Sequence, residues 1–123
     1  MTPADLLVAA RGLLEHDKQS AVGGWPRAVA FLTRQALEQA LSDLWAGSRA
    51  TTGLSECPMK TQLLCLPAYL EPGLAREIGY AWAALSNACH YHPYELAPTA
   101  AELSGWMTAV SNLTTSIALA REP

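Results

Sequence analysis

Apolar side chains recur along this chain every three or four residues, and no stretch alternates apolar with polar. That spacing lines one face of a helix and gives no support to strands. The first segment opens on Thr2-Pro3-Ala4-Asp5. Thr2 caps, Pro3 takes the first helical position without losing a needed N–H, and Asp5 completes a capping box. Leu6, Leu7, Leu13 and Leu14 supply the stripe, and an end is expected near Gln19 or Ser20. Gly23-Gly24-Trp25-Pro26 breaks the chain, and Pro26 starts a long second helix to about Trp45, with Gly47 as terminator. Val29, Leu32, Ala36, Leu37, Ala40, Leu41 and Leu44 line its broad face. Phe31, Arg34, Gln35, Glu38 and Trp45 follow an adjoining one, where Arg34 and Glu38 are spaced to pair.

Ser48 to Glu56 reads as a loop. Pro58 opens a short third helix with Met59, Leu63, Leu64 and Leu66 on or near its apolar side, and Pro67 ends or kinks it. Pro72 opens the fourth, with a stripe of Leu74, Ile78, Ala81, Trp82, Leu85 and Ala88. It is expected to reach about His92, because Pro93 makes continuation costly and biases the residue before it away from helical geometry. Tyr94 to Pro98 is a connector. Thr99 and Glu102 form a capping box for a fifth helix to about Leu119, with Leu103, Trp106, Val110, Leu113 and Ile117 inward. No repeat or internal boundary interrupts the pattern. Residues 1–123 therefore read as one all-α domain, a bundle of four to five helices.

Composition adds a surface problem to this picture. Half the residues are hydrophobic and 15% are charged, against about 25% in ordinary globular chains. A monomer would lack polar side chains to cover itself, and a second copy resolves the deficit. A homo-oligomer, in its simplest form a dimer, is expected; another protein or an RNA are the remaining partner classes. The net charge of -3 argues against a broad basic footprint for duplex DNA or an anionic membrane, but leaves room for a compact site on a single strand. No apolar run approaches the length of a membrane span, and the first residues lack the positive start of a secretory signal. Cys57, Cys65 and Cys89, an odd number at no metal-finger spacing, read as reduced thiols of a cytoplasmic chain.

Chemistry concentrates in Asn87-Ala88-Cys89-His90-Tyr91-His92-Pro93-Tyr94-Glu95. Asn87 and His90, three apart, share a helix face. His92 would point about 200° away from His90 on a continuous helix, so whether it joins His90 depends on where the helix stops. The structural reading is a capped helix end, since histidine near a C-terminus suits the dipole and the last carbonyls. The catalytic reading makes His90 a general base or acid, Asn87 an orienting group and Arg34 a phosphate clamp. Arg76 stands fourteen residues before His90, about 21 Å along a straight helix, and would serve it only from a partner chain. Cys89, His90, His92 and Glu95 lack the spacing of a known metal site, so no metal is expected. No cofactor is expected either: Gly23-Gly24 lacks the lysine and preceding strand of a phosphate loop. His16 reads as a surface or cap residue, and the four tryptophans as core or interface wedges.

The stretch AVAFLTRQALEQALSDLW early in the chain and ALSNACHYHPYEL later resemble the HEPN-like superfamily of small helical bundles. Arg34, Gln35, Ala36 and Glu38 meet the pattern of the early helix, and Asn87 and His90 that of the later one. The resemblance implies a dimer with the histidine helices of two subunits around a shared cleft. Active members are metal-independent endoribonucleases; others are inactive RNA-binding or assembly modules. The active motif places four to six residues between its Arg and its His. Here Ala83, Ala84 and Leu85 occupy those positions for His90, and Leu85, Ser86 and Asn87 for His92. The cation near the scissile phosphate is missing. The chain thus reads as a degenerate member: a non-catalytic interaction, assembly or RNA-associated domain. A metal-independent endoribonuclease using His90, Asn87 and Arg34 is the alternative.

Overall fold

The computed structural model describes residues 1–17, 25–90 and 96–121. Among them are five α-helices and no strand: α1 (Pro3–Asp17), α2 (Trp25–Ala46), α3 (Met59–Cys65), α4 (Pro72–Cys89) and α5 (Ala100–Arg121). Two short 3-10 turns, Thr52–Glu56 and Leu66–Ala68, precede and follow α3. The predicted ends of α1 and the Gly23-Gly24 break lie outside the described residues, as do Tyr91, His92, Pro93, Tyr94 and Glu95.

α2 is the axis of the bundle and packs against α1, α4 and α5. Its inward side is sealed by Val29, Ala30, Ala36, Leu37 and Leu41, where the small alanines let neighbouring helices approach closely. α1 contributes Leu6, Leu7, Ala10 and Leu14; α4 contributes Ile78, Ala81 and Leu85; α5 contributes Leu103, Met107, Val110, Leu113 and Ile117. The buried Thr33 stays satisfied by donating its hydroxyl to the carbonyl of Val29 at 2.8 Å.

Both predicted capping boxes form. The Thr2 N–H donates to Asp5 Oδ2 at 3.1 Å and the Asp5 N–H to Thr2 Oγ1 at 3.1 Å. Thr99 and Glu102 exchange the same pair of bonds at 3.0 Å each. α4 carries a further cap: the Glu71 carboxylate accepts from the N–H groups of Gly73 and Leu74, both at 2.9 Å.

Several expectations are corrected or sharpened. Trp45, on the face adjoining the apolar stripe of α2 and read as a core or interface wedge, is completely buried. The segment after α2 folds back over it, so the expected loop from Ser48 to Glu56 is in part an anchored turn. Thr51 Oγ1 donates to the Trp45 carbonyl at 2.7 Å, and Trp45 Nε1 donates to Gln62 Oε1 at 2.9 Å. Gln62 Nε2 in turn donates to the Cys57 carbonyl at 2.9 Å, while the Tyr69 ring meets Trp45 edge-on at 5.6 Å. On α5 the inward position is Met107, with Trp106 half-buried beside it, and on α3 Leu64 is 82% exposed. Lastly, α4 stops at Cys89 rather than near His92. His90 already has extended geometry, φ -93 and ψ 144. A proline at position 93 bars a helix from running past the carbonyl four residues before it, which is that of Cys89.

Candidate functional site

The end of α4 presents Asn87 and His90, both exposed. The last turn is closed by the His90 backbone N–H donating to the Asn87 carbonyl at 3.2 Å. Because His90 is outside the helix, its relation to Asn87 is set by this closing bond rather than by helical register. His90 occupies the C-cap itself, the position that the capping reading assigns to it.

Arg34 lies half-buried in the middle of α2. Its Nε donates to Glu38 Oε1 at 3.0 Å, and its guanidinium carbon stands 5.8 Å from the centroid of the Trp82 ring. Neither Asn87 nor His90 is among its hydrogen-bond, ionic or ring partners. Trp82 precedes His90 by eight residues, about 12 Å along the axis of α4. The guanidinium is therefore held roughly two turns back from the helix end.

That same edge of α4 carries a feature the sequence analysis missed. Trp82 Nε1 and Ser86 Oγ are buried with no hydrogen-bond partner among the described residues. They stand four residues apart and so on one face of the helix. Buried polar atoms nearly always find a partner, and no pattern of residue types announces those that do not.

Nearer the start of α4, the surface it shares with α3 is apolar. Leu63 of α3, Pro67 of the turn after it, and Pro72 and Ala75 of α4 enclose a groove of ≈ 500 Å³. Gly79 and Tyr80 continue it along α4, and Arg76 supplies its one charged side chain. A Cβ at Gly79 would meet nothing within 4 Å, so the floor is open there. Tyr80 projects from α4 at 72% exposure, and Leu64 and Tyr69 are also exposed on α3 and the turn that follows it. A second groove of ≈ 510 Å³ runs between Met1 and Leu6 on one side and Gln35, Glu38, Gln39 and Ser42 on the other, with polar and apolar surface in equal share.

Titration is perturbed only at helix caps among the groups with resolved shifts. The Gly73 and then the Leu74 N–H hold the Glu71 carboxyl below the usual range; the Thr2 N–H, then its hydroxyl, do the same for Asp5. The three cysteines are free and half-buried. Among the described residues no group of three or more His, Cys, Asp or Glu side chains is placed to hold a metal ion, and no helix is long and apolar enough to cross a membrane.

No family model, no curated protein and no solved structure matches this chain. The HEPN-like resemblance rests on its short motifs alone.

Proposed function

We propose that this chain is a non-catalytic assembly domain whose partner is a second copy of itself. The observation that carries the reading is the apolar flank formed by α3, the turn after it and α4. There a groove is lined mainly by apolar and small side chains with the exposed Tyr80 at its edge, and Leu64 and Tyr69 of the neighbouring segments are also exposed. Scattered apolar side chains are normal on a protein surface, whereas a contiguous patch around a concave site is the signature of an interface. The low charge of the chain points the same way. A degenerate HEPN-like identity is consistent with it, since such bundles pair and the motif arginine is replaced here.

The competing reading is a metal-independent endoribonuclease with His90 as general acid or base, Asn87 orienting and Arg34 clamping phosphate. It requires Arg34 to exchange Glu38 for a phosphate and to reach about 12 Å along α4. RNA association without cleavage fits the same fold through the exposed Asn87 and His90.

Two experiments test the proposal. Leu64→Glu places a charge on the flank at a side chain that contributes little to the core, and is expected to yield a folded protein with weakened self-association by light scattering. Unchanged association would move the interface elsewhere. Mixed single-stranded RNA incubated with purified protein and EDTA is expected to stay intact; cleavage that His90→Ala abolishes would establish the enzyme instead.

A further inference from the structure

We draw no further inference here: the strongest candidate, the side-chain pair Trp82 Nε1 and Ser86 Oγ on the edge of α4 beside the Arg34 guanidinium, is sealed from solvent, and nothing in the structure shows what group it would take.

Discussion

Replacing Ser86 by alanine should make this protein more stable. The Ser86 hydroxyl is buried with no hydrogen-bond partner among the described residues, as is Trp82 Nε1 one turn before it. A helical serine or threonine ordinarily escapes this cost by bonding a carbonyl one turn back. Thr33 does so at 2.8 Å to Val29, and Thr108 at 3.0 Å to Ser104. Ser86 does not. A buried hydroxyl stripped of water without a replacement bond costs about 1–3 kcal/mol. Alanine removes that cost and adds a few tenths of a kcal/mol of helix propensity. The loss is the packing of a single oxygen, worth some tenths of a kcal/mol in contacts. The net expectation is a gain of about 1–2 kcal/mol. With a melting entropy of about 2.1 cal/mol/K per residue, that corresponds to a rise of about 4–8 °C in melting temperature. Urea unfolding at one fixed protein concentration measures it, because self-association would otherwise shift the midpoint. Thr33→Val is the internal control: it removes a satisfied hydroxyl of the same shape and should lower stability by about 1 kcal/mol. Opposite signs for the two variants support the argument. A loss of stability in Ser86→Ala would refute it, because it would mean that the hydroxyl makes a bond in the folded protein.

Three further outcomes follow from the fold. Gln62→Leu leaves both Trp45 Nε1 and the Cys57 carbonyl without their partner and should cost about 2–4 kcal/mol in chemical unfolding. Thr99→Ala opens the capping box of α5 and should cost about 1 kcal/mol by the same assay, with native circular dichroism retained. The carboxyl of Glu71 is held below its ordinary value of 4.5 by the N–H groups it caps. Its contribution is therefore fully present above that value and lost as pH falls through the depressed folded value. Glu71→Gln should be less stable than wild type at neutral pH, with the difference closing on acidification; a gap that widens in acid would reverse this sign.

The helices and their caps were legible because local rules decide them. Thr2 with Asp5 and Thr99 with Glu102 satisfy backbone donors within four residues, and nothing distant alters that. The inward stripes of α2 and α4 were legible for the same reason. Trp45 was legible as a core or interface wedge on the face adjoining the stripe, but its cover by the returning chain at Thr51 and Gln62 was not, because that depends on tertiary packing. Met107 displaced Trp106 from the core of α5; a stripe one residue wide cannot be assigned from spacing when both neighbours are apolar. The stop of α4 at Cys89 was foreshadowed by Pro93, but the expected end lay too late because the carbonyl that a proline excludes is four residues upstream. At the candidate site, Asn87 and His90 were recognisable as residue types, and Arg34 with Glu38 as a spaced pair. The stacking of Arg34 on Trp82 depends on how α2 and α4 pack, which no local pattern encodes. The groove beside Gly79 arises only when α3 and α4 are brought together, so it too was invisible in the linear chain.

We propose that this domain works by pairing with itself. Sedimentation equilibrium of the wild type over a wide concentration range tests it most directly. A self-pairing domain shows a reversible, concentration-dependent rise toward twice the chain mass of 13.2 kDa. A single species at the chain mass at every concentration would contradict it.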